Sequence, residues 1–189
     1  VKKLKLPLMS LINKSRTQTA FTVSIEAKKG ISTGISAYDR AKTIKVAIKN
    51  SSGSKDIVSP GHVFPLVSKN GGVLERAGHT EASVDISRLA KLNPSAVICE
   101  VMNEDGTMAR YNDLVPFSKK HNLKIAKIED LISYRLKNEK FIKMISNRKI
   151  NIKKFGNYDL KVFKSKLDGA EHYALTSKNF SYKKSPRVR

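Results

Sequence analysis

Arg76, Gly78, His79 and Thr80 fall in one short run, at a loop that feeds a helix-like pattern. Those types suit an anion. A guanidinium, a hydroxyl, a glycine that lets backbone approach closely and the N–H groups of a helix start are the parts of a phosphate site. The run is read equally well as an ordinary capped helix start. Glu100 follows Val97-Ile98-Cys99 at the end of an apolar stretch, where a carboxylate is costly unless it is paired or bound to a metal. It can equally face solvent at a strand end. His62 stands between Gly61 and Val63-Phe64-Pro65-Leu66, a place where a histidine is either a structural hydrogen-bonder or an acid/base group.

The elements around these residues follow from local patterns. Thr17 to Ile25 alternates and is rich in β-branched side chains, which predicts a strand closed by the turn Lys28-Lys29-Gly30. Ser36 is a fitting cap for a helix running toward Lys49. Residues 61–67, broken by a proline, predict an edge strand or irregular element. A helix is expected to start near His79, with Thr80 and Ser83 as its caps, and to end by Asn93-Pro94. Ala96 to Met102 reads as a buried strand that enters the turn Asn103-Glu104-Asp105-Gly106. Beyond it, Asn112 to Lys120 reads as helix, Leu123 to Ile128 as strand and Ile128 to Asn138 as a helix. The expected class is α+β: a mixed β-sheet with flanking helices in layers, followed by a partial, mainly-β segment.

Composition narrows the function classes. With 189 residues and 40% hydrophobic content, the chain has enough for one full domain and part of another. Its longest apolar runs stay far short of the roughly 20 residues of a membrane span. The N-terminal residues lack the apolar core of a secretory leader. The lone cysteine, Cys99, cannot make an internal disulfide and is expected to be a buried small hydrophobe. These features point to a cytoplasmic protein without a membrane partner. The net charge of +21 raises the question of a nucleic-acid partner. Its excess is mostly lysine spread along the chain, with no arginine-rich arm, zinc-finger spacing or aromatic RNA-binding strand, so no nucleic-acid partner is expected.

Four blocks in order carry a resemblance. They are Thr33-Gly34-Ile35-Ser36-Ala37-Tyr38-Asp39-Arg40-Ala41, Gly61-His62-Val63-Phe64-Pro65-Leu66, Arg76-Ala77-Gly78-His79-Thr80-Glu81-Ala82 and residues 98–110 around Glu100. From Leu4 to Leu136 the sequence resembles the 3,4-dihydroxy-2-butanone 4-phosphate synthases. The resemblance implies conversion of ribulose 5-phosphate to 3,4-dihydroxy-2-butanone 4-phosphate and formate, with magnesium or manganese as cofactor and a homodimer as the assembly. It implies that His79 ligates the metal and that Arg76, Ala77, Gly78, His79 and Thr80 wrap the substrate, with Arg76 and Thr80 at its phosphate. Glu100 matches the carboxylate that contacts substrate and assists proton transfer, and His62 matches a catalytic residue. Asp39 and Thr43 lie in a matching block without an assigned role.

The sequence departs from the family pattern in one respect. The acidic segment of Arg-Glu-Asn-Glu-Gly-Asp type that supplies further metal and substrate contacts is not among these residues. The expectation is therefore an N-terminally truncated chain, with a non-catalytic sugar-phosphate-binding or scaffold domain as the alternative function. Toward the other end, Phe155-Gly156-Asn157-Tyr158 and Leu167 to Leu175 resemble the first strands of a GTP cyclohydrolase II domain. No cysteine follows Cys99, so no zinc chemistry is expected there, and His172 reads as a strand residue. The expected organisation is a synthase domain over 1–138, a basic linker over 139–149 and a partial second domain over 150–189.

Overall fold

The computed structural model describes residues 1–177 and divides the chain into two compact units, Val1–Ile132 and a second that begins at Ser133. The first unit opens on a single 3-10 turn, Lys2–Leu4, and two short strands, β1 (Ala20–Phe21) and β2 (Ile25–Ala27). Helix α1 (Ala37–Ile48) begins where the sequence places a cap: the Ser36 hydroxyl accepts a hydrogen bond from the Asp39 N–H at 3.0 Å. Strands β3 (Ile57–Val63) and β4 (Leu66–Val67) precede helices α2 (His79–Leu89), α3 (Tyr111–Lys120) and α4 (Ile128–Asn138). β1 pairs with β4 and β2 with β3, both antiparallel. The α+β class holds, built among the described residues from small separate antiparallel sheets.

The core of this unit joins Leu4, Ile25 and Ile57, with Leu6, Val46, Ala47 and Val63 packed against them. One polar tie is fully buried inside it. Thr43 of α1 accepts a hydrogen bond from the Ala27 N–H at 3.0 Å, which fixes the helix to the strand pair.

Several expected elements differ. Residues 17–25 are not one strand, because the pairing breaks between β1 and β2. Helix α2 is capped by Gly78 and not by Thr80 or Ser83; the Ser83 hydroxyl donates back to the Thr80 carbonyl inside the helix. Ala96 to Met102 is neither buried nor a strand. Val97 is 70% exposed, Cys99 is exposed, and a single bridge pairs Met102 with Met108. A short apolar run becomes a strand only when neighbours supply ladder partners, and none of the described residues does so here. Leu123 to Ala126 is likewise irregular, and α4 starts at Ile128 as its acidic first turn predicts.

The second unit is an antiparallel meander, β5 (Ile142–Ile152), β6 (Gly156–Ser165) and β7 (Glu171–Ser177). Most of the expected linker, residues 139–149, is therefore strand. Lys143, Arg148 and Lys149 are exposed residues of a ladder with β6, and reading them as solvated linker misses the half-buried Ile150 and Ile152 that flank the exposed Asn151. Lys154 and Gly156 turn the β5–β6 hairpin with positive φ, 78° and 89°. His172 sits in β7 opposite Phe163, a strand residue as expected. Arg135 is buried beside Glu139, whose carboxylate it meets at 2.7 Å through Nε. The expected second-domain residues beyond Ser177 lie outside the described ones.

Candidate active site

His62 is carried on β3 by an irregularity in the β2–β3 ladder. Glu26 pairs with Val58 and Ile25 with Val63, so Ser59, Pro60, Gly61 and His62 are looped out between two paired positions. A bulge of this kind re-aims the side chain it carries. The loop is pinned close to β2: the Gly61 N–H donates to the Ser24 hydroxyl at 3.0 Å, and a Cβ at residue 61 would collide with the Ile25 backbone and the Glu26 side chain. Only glycine fits there. The His62 ring beyond it is 44% exposed, and its Nδ1 is bonded to Oε1 of Glu26.

Asp39 organises the segment on the other side of Glu26. It is buried at the start of α1, where it accepts from the Ser32 hydroxyl at 2.8 Å, the Ser32 N–H at 3.2 Å and the Gly34 N–H at 3.0 Å. The Ser32 hydroxyl, foremost, and these backbone N–H groups hold its carboxyl below the ordinary carboxylate range against the opposing effect of burial. The loop it ties down presents Gly34, with φ +84°, directly against the Glu26 carboxylate.

The run Arg76 to Thr80 behaves as a built loop. Gly78 extends into α2 without a side-chain cap, so the first-turn N–H groups at His79 and Thr80 are left for another acceptor. His79 is exposed and Thr80 buried. Arg76 is turned into the protein. Its Nη1 donates to Glu81 Oε2 at 2.5 Å, its Nη2 to the Thr17 carbonyl at 2.8 Å and the Thr19 hydroxyl at 3.0 Å, and its Nε to the same carbonyl at 3.1 Å. Glu81 is 1% exposed at its side chain and takes a further bond from the Lys69 N–H at 3.0 Å. Arg76 thus compensates a buried carboxylate and ties the loop before α2 to residues 17–19.

His79 borders an open cleft of about 560 Å³ with Ser83, Ile86, Ile98, Lys127 and Glu129. The cleft brings the His79 block beside Ile98, the first residue of the block that holds Glu100, although Glu100 itself lies exposed on the irregular segment. His62 and Glu100 do not border it. Among the described residues, no group of three or more His, Cys, Asp or Glu side chains could hold a metal ion. His79 is a single donor, and magnesium prefers several oxygen ligands, so these residues do not make up a metal site by themselves. Glu26 is the residue that the sequence reading missed. Its signal is weak: one acidic residue inside a short strand, opposite Val58 in the register and brought to His62 only by the bulge.

A family model described as 3,4-dihydroxy-2-butanone 4-phosphate synthase matches residues 1–134. A protein of that name from Photobacterium phosphoreum is 49% identical over 186 residues, covering 98% of this chain and 51% of its own length. The riboflavin biosynthesis protein RibBA of Aquifex aeolicus is 53% identical over 170 residues, covering 89% and 42%. The chain therefore spans about half the length of the curated relatives it matches. Among solved structures, a two-domain synthase from A. baumannii, RibBX, superposes with a TM-score of 0.79 at 46% identity, covering 93% of this chain and 52% of the other. A synthase in complex with two magnesium ions superposes with a TM-score of 0.66 at 35% identity, covering 72% and 69%.

Proposed function

The chain belongs to the 3,4-dihydroxy-2-butanone 4-phosphate synthase family, and from that premise we propose that the protein carrying it converts D-ribulose 5-phosphate to 3,4-dihydroxy-2-butanone 4-phosphate and formate. The observation that carries the reading is the placement of His62, a half-exposed imidazole on a pinned bulge whose Nδ1 is engaged by a carboxylate. That is the arrangement of a general base.

The reaction begins beside a carbonyl, where a carbon-bound proton must be removed, and it continues through dehydration, rearrangement and loss of formate. His62 takes and returns protons through its free nitrogen. Glu100, on the exposed segment that follows Ile98, contacts substrate and assists proton transfer. The open N–H groups at His79 and Thr80, with Ala77 and Gly78 leading into them, receive the phosphate. Arg76 supports that loop through Glu81 and adds positive potential near the phosphate. Magnesium is the proposed metal, with manganese as the other candidate and His79 as the ligand this chain contributes. The presence of two magnesium ions in a related synthase supports that reading. When bound, the metal would stabilise enediolate charge; the steps above rest on the side chains alone.

No helix among the described residues is long and apolar enough to cross a membrane. We place the protein in the cytoplasm, as a homodimer without a nucleic-acid partner. The domain division proposed is a synthase domain over 1–138 and, in the meander that opens with β5, the start of a GTP cyclohydrolase II-like domain to which no zinc chemistry is assigned. The test is a coupled assay for formate with ribulose 5-phosphate and magnesium. Formate should appear with the native protein and fall by about 100-fold or more in His62→Gln, the loss expected when a general base is removed. Full activity in His62→Gln would overturn the assignment of His62.

A further inference from the structure

We infer that Glu26 is a positioning residue for His62, selecting which ring nitrogen is free to act as the base; the catalytic half of this inference rests on the synthase reading above. An ionised carboxylate can only accept a hydrogen bond, so the His62 Nδ1 bonded to Glu26 Oε1 carries the proton of the neutral ring. The lone pair is then on Nε2, on the far side of the ring from Glu26. In a solvent-exposed histidine side chain the Nε2–H tautomer is the ordinary one, and a residue that fixes the other choice prepares the base before substrate arrives.

The surroundings of Glu26 are built for that contact. Its side chain is only 15% exposed, while the ring it meets is 44% exposed, so the carboxylate lies behind the imidazole and the imidazole faces outward. Two glycines confine it from separate segments. A Cβ at Gly34 would occupy the carboxylate's own position, and one at Gly61 would strike its Cγ. Gly34 is held there by Asp39 through its N–H at 3.0 Å, and Gly61 by the Ser24 hydroxyl at 3.0 Å. Asp39 therefore acts at one remove: it fixes the loop that fixes the carboxylate that orients the ring. This gives the block from Thr33 to Ala41 a physical task that its sequence leaves open. It also explains why the bulge falls between Ile25 and Glu26, since a regular ladder would place Ser59 opposite Ile25 and carry His62 away from Glu26.

The direct test is the nitrogen-15 spectrum of histidine-labelled protein, with the His62 signals assigned by their loss in His62→Gln. It is recorded at a pH high enough that the ring signals no longer change. The expected native spectrum shows His62 with a protonated Nδ1 and a bare Nε2. Glu26→Ala should convert it largely to the Nε2–H form, whereas Glu26→Gln, whose amide oxygen can still accept, should retain Nδ1–H. In steady-state kinetics Glu26→Ala should lower kcat by about 10–100-fold with little change in KM, the size of loss seen when an outer orienting partner is removed, and Glu26→Gln should lose less. A native His62 in the Nε2–H form overturns the inference, and so does Glu26→Ala with native kcat. The native spectrum decides the tautomer even if Glu26→Ala fails to fold. It is also independent of turnover: a protein that shows the Nδ1–H form but releases no formate refutes the synthase reading and leaves the pairing intact, while the reverse result does the opposite.

Discussion

Replacing Arg76 by methionine should destabilise the folded protein in the absence of any substrate. The change keeps the length of the aliphatic stem and removes the guanidinium. Four hydrogen bonds go with it: one to Glu81, two to the Thr17 carbonyl and one to the Thr19 hydroxyl. What decides the magnitude is Glu81, whose side chain is 1% exposed and would keep the Lys69 N–H as its remaining bond at 3.0 Å. Removing one partner of a buried ion pair costs about 3–5 kcal/mol. The retained backbone bond and the 20% exposure of the Arg76 side chain place this case at the low end, about 3 kcal/mol. That is about a 100-fold change in the unfolding equilibrium and a fall in Tm of about 6–12 °C for a chain of this size. Urea unfolding of the native protein, Arg76→Met, Glu81→Leu and the double variant would measure it. The double variant should be more stable than Arg76→Met, because it no longer buries an unpaired charge. A loss below about 0.5 kcal/mol in Arg76→Met would refute the reasoning and return Arg76 to the substrate phosphate as its main task.

Two further outcomes follow from the start of α1. Ser36→Ala removes the cap that bonds the Asp39 N–H and should cost about 1 kcal/mol in urea unfolding; no change would mean that the helix start is held by Asp39 alone. The Asp39 carboxyl, held low by Ser32 and Gly34, contributes stability that is present above the unfolded-state value of about 3.9 and is lost as pH falls through its lower folded value. Asp39→Asn should therefore be less stable near neutral pH and should lose less than the native protein as pH drops below about 4. An Asp39→Asn curve parallel to the native one would contradict this.

Where local chemistry decides structure, the sequence was readable. Ser36 caps α1 through its own hydroxyl, the acidic residues Glu129 and Asp130 mark the first turn of α4, and the loop before α2 delivers His79 to a helix N-terminus. Where long-range pairing decides, it was not. Val97, Ile98 and Cys99 look like core by composition, yet nothing local tells whether ladder partners will meet them, and they stand exposed. Ile142–Ile152 looks like a basic linker because lysine and arginine hide its alternation, and only its register with β6 makes it a strand. The site divides in the same way. Candidate residues in compact runs, from Arg76 to Thr80, could be found by type and spacing. Glu26 and His62 are far apart in the chain and meet only because a bulge in the β2–β3 ladder brings them together. The structural role of Arg76 was hidden for a related reason, since its buried partner Glu81 is disclosed by packing and not by sequence.

The reaction itself can be followed by carbon-13 NMR of uniformly labelled ribulose 5-phosphate incubated, with magnesium, with the protein that carries this chain. Equal amounts of formate and a four-carbon ketone phosphate should appear, since one five-carbon substrate divides into those two products with its oxygens and phosphorus conserved. Substrate that binds, as seen by line broadening, yet remains five-carbon would contradict it and leave a sugar-phosphate-binding domain in its place.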